Sequence, residues 1–194
     1  MEQPRPGRPR DLNIDEAVLR TAREQLSLAG YESMSIAAVA EAAGTTRQAI
    51  YRRWPSKADL ATAAVASMSE SDQRPPSGDH LRDLEDELRS FAQGVTRRNG
   101  VSLVGTMLLE RAEEELVELF RQRLVQPRRT RIRAILERAG TDGQLAPDAD
   151  LDHAVAACTG ILYAMAVAGD PVQSTWATRT AAFVWRGCGG QPND

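Results

Sequence analysis

Residues 35–60 decide the fold, and their sequence is SIAAVAEAAGTTRQAIYRRWPSKADL. Ser35 can cap a short helix, IAAVAEAA, which Gly44 ends after about two turns. Thr46 can cap a second helix, RQAIYRR, which ends before Pro55 because the residue preceding a proline disfavours helical backbone. Two short helices joined by a glycine-containing turn form a helix-turn-helix.

The turn and the second helix concentrate positive charge. Between residues 43 and 57 there are four cations and no carboxylate, although the 194-residue chain has a net charge of −3. Residues 1–68 hold nine basic and eight acidic side chains, whereas residues 69–194 hold fifteen and nineteen. A second basic cluster, near the N-terminus, consists of Arg5, Arg8 and Arg10. Basic patches on an otherwise acidic protein indicate a surface for DNA.

The N-terminal end of the second helix has residue types that read base edges. A recognition helix presents this end to the major groove. Arg47 suits a guanine and Gln48 an adenine, each bidentate contact giving about 1–3 kcal/mol of discrimination, while Ala49 offers a methyl group to thymine. Ile50 and Trp54, four residues apart, share the opposite face and are predicted to pack inward.

Side chains beside this end are predicted to contact phosphates. Tyr51 and Arg53 lie to the sides of the helix, where a hydroxyl and a guanidinium set register rather than sequence. Lys57, the only lysine in the chain, begins the next helix, where an ammonium ion is unfavourable unless a phosphate accompanies it. Arg52 fits either a phosphate contact or a solvated face. Thr45, in the turn, is assigned to the same DNA surface.

These residues give the chain a family resemblance. The stretch resembles the DNA-binding domain of the tetracycline-repressor (TetR) family of bacterial transcription regulators. The family pattern contains I-A-x-x-A, A-G, I-Y-x-x-W/F and K-x-x-L, met here by Ile36-Ala37, Ala40, Ala43-Gly44, Ile50-Tyr51, Trp54, Lys57 and Leu60. The resemblance covers residues 12–68 and is far weaker beyond them.

The resemblance implies a set of DNA contacts. Phosphate contacts are implied at Ser35, Tyr51, Arg53 and Lys57, and base-edge contacts around Thr46, Arg47, Gln48 and Ala49. The opening RPGRPR is similar to basic arms that enter a minor groove in some members. Where some members have a base-reading arginine this chain has Ala37, which shifts specificity onto Arg47 and Gln48.

An all-helical architecture is predicted, since the sequence has no internal repeat and no convincing strand pattern. The predicted domains are a flexible basic arm (1–11), a helix-turn-helix DNA-binding domain of three helices (12–68), a linker (69–80), a helical ligand-binding and dimerisation domain (81–187) and a disordered tail (188–194). The predicted helices of the C-terminal domain are 81–98, 102–113, 114–140 with a bend at Pro127, 148–169 and 171–187.

A ligand pocket among the middle helices is also implied by the resemblance. Its apolar candidates, which ordinary core packing explains equally well, are Phe91, Val95, Leu103, Met107, Phe120 and Tyr163. Few charged residues fall on the predicted inward faces, so we expect a mainly apolar small molecule. The run QPRRTRIR, residues 126–133, fits a solvated helix face better than a second nucleic-acid patch.

The last two predicted helices are nearly uncharged and rich in small residues. Small residues spaced by three and four let helices approach closely, so these helices predict the seam of a two-fold dimer, with a monomer core as the alternative. A dimer with recognition helices roughly 34–36 Å apart would bind a palindromic operator in double-stranded DNA. The seam candidates are Ala157, Gly160, Ile161, Ala164, Trp176, Thr180 and Phe183.

Other functions find little support in the sequence. There is no G-x-S-x-G, Walker or G-x-G-x-x-G pattern, and His80 and His153 lie far apart, so we expect no enzyme, metal or cofactor. Two cysteines outside a C-x-x-C pair favour the cytoplasm, and no apolar run reaches the roughly 18–20 residues of a membrane span. The remaining alternatives are an architectural DNA-binding protein without effector, and a helical enzyme or lipid-binding protein.

Overall fold

The regular elements are helices throughout the residues that the computed structural model describes, 12–70, 75–96 and 113–191. In chain order they are α1 (Leu12–Ser33), α2 (Ile36–Ala42), α3 (Arg47–Tyr51), α4 (Lys57–Glu70), α5 (His80–Thr96), α6 (Glu114–Phe120), α7 (Gln126–Thr141), α8 (Leu151–Ala168) and α9 (Trp176–Gly187). A π-helical turn, Arg121–Val125, joins α6 to α7. The prediction of an all-α fold is confirmed.

The predicted caps set the boundaries of the helix-turn-helix. The Ser35 hydroxyl accepts a hydrogen bond from the Ala38 N–H at 3.4 Å, and the Thr46 hydroxyl accepts one from the Ala49 N–H at 3.1 Å. Each bond satisfies a backbone donor that has no partner within its own helix. Gly44 has a φ of 65°, a left-handed conformation that glycine adopts without steric penalty and that turns the chain from α2 towards α3.

The N-terminal core joins α1–α4 to a residue that is distant in sequence. Its fully buried members include Val39, Leu60 and Leu116, and Leu116 belongs to α6. Phe120, also on α6, packs against this core. The sequence placed α6 in the C-terminal domain and Phe120 in a ligand pocket there, whereas Phe120 packs against the N-terminal core instead.

The π turn marks the change of direction between the two cores. A bend was predicted at Pro127, and the irregularity lies just before it, where the Gln126 N–H donates to the Arg121 carbonyl. Proline has no N–H to donate to the carbonyl four residues earlier, so the regular ladder is interrupted there. The helix after the turn, α7, packs in the C-terminal core instead.

The C-terminal core is formed by α5, α7, α8 and α9. Its fully buried members include Leu84, Leu88, Ile132, Leu136, Val155 and Leu162. Trp176 is buried in this core, and Thr180 is buried on the same helix. Both were predicted to lie in a dimer seam, and that prediction is wrong because the protomer's own packing covers them.

α8 is apolar but little covered by the rest of the chain. Four of its 18 residues are buried, namely Ala154, Val155, Cys158 and Leu162. Within the described part of the chain, it is the one helix long and apolar enough to span a membrane by length and composition. Gly160 and Ala164 are exposed, Val167 is 85% exposed, and Phe183 on the neighbouring α9 is 65% exposed.

Two segments outside the predicted helices are packed. Cys188 is buried, and its carbonyl accepts a hydrogen bond from the Ala146 N–H at 2.8 Å, so the predicted disordered tail does not begin at residue 188. His80, predicted to end the linker, begins α5 instead. Its buried side chain has Nε2 2.7 Å from Oδ2 of Asp142, which ties α5 to the end of α7.

Candidate nucleic-acid interface

The N-terminal end of α3 stands out from the core as predicted. Thr46, Arg47 and Gln48 are exposed, whereas Ala49 is half-buried. α3 itself is held in position by Ile50, which is almost completely buried in the N-terminal core. A guanidinium and an amide are therefore presented to solvent from a helix whose position is set by packing, which is the arrangement that base reading requires.

The predicted phosphate contacts flank this end, and most are accessible. Tyr51 is 48% exposed and Arg52 is also exposed. Ser35 is exposed while its hydroxyl caps α2, and Thr45 is half-buried in the turn. A phenol, a guanidinium and the start of a helix are all groups that donate hydrogen bonds to phosphate oxygens.

Lys57 is oriented by two contacts within the protein. Its Nζ donates to the Glu32 carbonyl at 2.9 Å and lies 4.6 Å from the centre of the Tyr31 ring. A cation over an aromatic ring is attracted by the negative face of the ring. The contacts hold the ammonium group against the end of α1 without neutralising its charge, so it stays suited to an anion.

Arg53 differs from its predicted role as a phosphate contact. Its Nε lies 2.5 Å from Oδ1 of Asp15 on α1, and both side chains are largely buried. A second nitrogen of its guanidinium donates to the Ala49 carbonyl at 3.4 Å. The guanidinium thus attaches α3 to α1, a structural role that precedes any contact with DNA.

α6 is bound to the DNA-binding unit by hydrogen bonds as well as by Leu116. The Tyr31 hydroxyl donates to Glu113 at 2.9 Å, and the Ser56 hydroxyl donates to Glu115 at 2.8 Å. Burial raises the pKa of Tyr31, and the bond to Glu113 raises it further. The phenol is therefore a stable donor at neutral pH.

The π turn adds a third polar connection. Arg123 donates to the Asp59 carboxylate at 2.5 Å and to the Asp59 carbonyl at 2.9 Å. It also reaches the Thr62 hydroxyl at 3.2 Å. These contacts join the turn before α7 to α4, the helix that follows the recognition helix. No sequence pattern had indicated them, because the partners lie about sixty residues apart.

Comparison with known families agrees with this geometry. Residues 18–64 match the family "Bacterial regulatory proteins, tetR family", and residues 74–184, more than half of the chain, match "Tetracyclin repressor-like, C-terminal domain". The chain belongs to the TetR family. It is therefore a DNA-binding transcription regulator of the repressor type, and such regulators are not enzymes. TetR-family regulators typically act as dimers with small-molecule effectors.

Individual relatives extend over most of this TetR-family regulator. The HTH-type transcriptional regulator YdeS of Bacillus subtilis is 26% identical over 176 residues, which are 90% of this chain and 89% of the relative. Rv1556 of Mycobacterium tuberculosis is 29% identical over 153 residues, 77% of this chain and 72% of the relative. The crystal structure of the TetR-family regulator SCO0332 has a TM-score of 0.71 at 26% identity, covering 90% of this chain and 98% of that one.

The candidate pocket residues of this TetR-family regulator are only partly brought together. Phe91 and Tyr163 are edge to face, with ring centres 5.6 Å apart, and Val95 belongs to the same core. Phe120 lies with the other core, as described above. Leu103 and Met107 fall outside the described residues. Of the predicted pocket residues, Phe91 and Tyr163 are therefore the two that the structure brings into direct ring contact.

Arg128, which was predicted to lie on a solvated helix face, packs over the ring of Phe91. Arg128 has an 11% exposed side chain and donates to Glu87 at 3.1 Å. Arg131 contacts both oxygens of Glu87, at 3.0 and 2.9 Å. The interpretation of residues 126–133 as a solvated face is therefore wrong for Arg128. The spacing to Ile132, one helical turn later, would have indicated an inward position.

No metal or redox centre is found among the residues that the structure describes. Within those ranges no three His, Cys, Asp or Glu side chains come together as metal ligands. Cys158 and Cys188 are free and buried. Burial raises the pKa of Cys158 to about 12, so its thiol is protonated and unreactive at neutral pH.

Proposed function

We propose that this TetR-family regulator is a homodimeric repressor that binds a palindromic operator through α3 and is released by a small molecule. The observation that carries the proposal is the exposed pair Arg47 and Gln48 on a short helix whose opposite face is buried. Base-edge contacts are assigned to Thr46, Arg47, Gln48 and Ala49, with Arg47 suited to guanine, Gln48 to adenine and Ala49 to the methyl group of thymine. The cytoplasm, where free buried thiols persist, is the assigned compartment.

Phosphate contacts are assigned to exposed and half-buried groups around α3. These are Ser35, Thr45, Tyr51, Arg52 and Lys57. Arg53 supports them indirectly, because its bond to Asp15 fixes the orientation of α3. The N-terminal arginines, which lie outside the described residues, are assigned to the minor groove. Deletion of residues 2–10 tests this part of the proposal, and the expected result is a uniform loss of affinity for DNA.

Dimerisation is assigned to the uncovered faces of α8 and α9. The supporting observation is the exposed series Gly160, Ala164 and Val167 at spacings of four and three, with Phe183 exposed on α9. Ala157 and Ile161, half-buried on α8, complete the seam. Glycine and alanine allow two helices to approach closely, which suits a helical seam between identical subunits.

Effector response is assigned to the shared position of α6 and α7. α6 belongs to the N-terminal core through Leu116, and α7 to the C-terminal core through Ile132 and Leu136. A ligand that displaces α7 would act on α4 through Arg123 and Asp59. The separation of two recognition helices in a dimer would change accordingly, and DNA binding would weaken.

Selection of fragmented genomic DNA on the purified protein at about 150 mM salt tests the operator assignment. The expected result is recovery of a short palindrome. Arg47→Ala should remove the base preference at one or two positions of this palindrome. The matched control Arg52→Ala should keep the base preference at every position and bind the palindrome with lower affinity. Retention of all fragments, fading as salt rises, would instead support an architectural protein. Retention of none by ligand-free protein would contradict both functions.

A further inference from the structure

Four helices of the C-terminal domain meet at three aromatic rings and a guanidinium, which we call the Phe91 cluster: Phe91 of α5, Arg128 of α7, Tyr163 of α8 and Trp176 of α9. The Trp176 ring centre is 6.1 Å from that of Phe91, and the Arg128 guanidinium is 5.1 Å from it. Edge-to-face and tilted pairs at such distances are the arrangements that aromatic rings prefer to make with one another.

The cluster contains buried hydrogen-bond donors. Trp176 is 4% exposed, and its Nε1 has no hydrogen-bond partner among the described residues. Buried polar groups are normally satisfied, so such a donor indicates a position where an acceptor can bind. Burial also raises the pKa of Tyr163, against the opposing effect of Arg128. The phenol is therefore a neutral O–H donor at physiological pH.

The cluster also favours a negative charge. Burial lowers the pKa of Arg128, an effect that Glu87 opposes and the charge of Arg131 reinforces. Glu87 divides its two oxygens between both guanidinium groups. An anion close to Arg128 would stabilise its charged form and offset the desolvation that lowers the pKa.

We infer that the effector is an aromatic carboxylate, whose ring packs with Phe91 and Tyr163 and whose carboxylate accepts hydrogen bonds from Trp176 Nε1 and Arg128. The inference rests on the proposed effector response and gives it a ligand class. It replaces the mainly apolar ligand expected from the sequence, because that expectation assumed an interior without charge.

Calorimetric titration of the full-length protein with benzoate, phenylacetate, cinnamate and 2-naphthoate tests the inference. Each acid is compared with its primary amide, which has the same ring and no charge. We expect at least one acid to bind with a Kd below about 1 mM, and at least tenfold more tightly than its amide, a difference of about 1.4 kcal/mol.

Three variants separate the cluster from general effects on the protein. Trp176→Phe removes the N–H but keeps a ring, and Arg128→Gln removes the charge. Arg138→Gln makes the same change at an exposed position of α7. We expect affinity for the acid to fall about tenfold in each of the first two variants and to stay unchanged in the third. Trp176→Phe keeps the test decisive if Arg128→Gln does not fold.

Three results would overturn the ligand class: no acid binding below about 1 mM, equal binding of acid and amide, or equal binding by Trp176→Phe, Arg128→Gln and Arg138→Gln. An operator-release assay run in parallel separates this failure from that of the proposed function. Release by an uncharged amide but by no acid overturns the ligand class and leaves the effector response intact. Absence of operator binding by the ligand-free protein overturns the repressor function, and the titrations still decide the ligand class.

Discussion

Leu116→Ala is expected to destabilise the DNA-binding unit, although residue 116 lies far beyond it in sequence. The Leu116 side chain is fully buried among residues of α1–α4. Replacing a buried leucine by alanine costs about 3–5 kcal/mol, from lost burial and the remaining cavity. For a chain of this length, each kcal/mol lowers Tm by about 2–4 °C, so we expect a decrease of about 6–20 °C.

The assay is urea unfolding followed by fluorescence of Trp54, which packs against the N-terminal core. A Trp176→Phe, Trp185→Phe background removes the other two tryptophans, and the protomer concentration is held fixed because dimerisation contributes to stability. Leu28→Ala is the matched control, since Leu28 is 73% exposed on α1 and its truncation should change stability by less than about 0.5 kcal/mol. A loss of less than about 1 kcal/mol for Leu116→Ala, or one equal to the control, would refute the assignment of α6 to this core.

Arg53→Gln should lower the free energy of unfolding by about 1–3 kcal/mol, because its largely buried bond to Asp15 is lost. Arg52→Gln should leave stability unchanged and reduce the slope of log affinity for DNA against log salt concentration by about 1. A loss of stability with Arg52→Gln and a reduced slope with Arg53→Gln would exchange the roles of the two arginines. Gly160→Leu should convert a dimer to folded monomers in analytical ultracentrifugation, since a Cβ at Gly160 meets no atom within 4 Å in the protomer, and a persisting dimer would exclude this face from the seam. Burial raises the pKa of Cys158 to about 12, so Cys158 should react with a thiol reagent at pH 8 only after the protein unfolds. The unfolded thiol titrates at about pH 8.5. The contribution of Cys158 to stability is therefore present below that pH and lost as the pH rises towards 12.

Local chemistry explains why the helix-turn-helix could be predicted from sequence. The caps at Ser35 and Thr46 and the left-handed turn at Gly44 depend on neighbours within four residues, so the sequence contains the whole interaction. The exposed position of Gln48 followed from the burial of Ile50, because residues two apart lie on opposite sides of a helix. The caps of α2 and α3 were therefore predicted correctly, and so was the exposure of the N-terminal end of α3.

Long-range partners explain what the sequence could not predict. The Arg53 contact requires Asp15 from another helix, and an arginine suited to phosphate is equally suited to a carboxylate. Leu116 has the same apolar character whichever core it enters, so its assignment needs the tertiary path of the chain. Trp176 was equally compatible with a seam and with an interior. The inward position of Arg128, by contrast, could have been predicted. Its spacing of four residues to Ile132, and of eight to Leu136, places it on the buried face of the helix, but its charge favoured a solvated position.

Leu116 belongs to the N-terminal core, and this affects the design of chimeric repressors in which the DNA-binding unit of one protein is joined to the effector domain of another. A chimera joined between α4 and α5 would combine the foreign α1–α4 with a resident α6 shaped for different neighbours. Leu116 and its hydrogen-bonding companions Glu113 and Glu115 contact α1 and the start of α4. Transplanting operator recognition onto another effector domain therefore requires moving residues 113–125 together with 12–70, as two separate segments of one exchangeable unit.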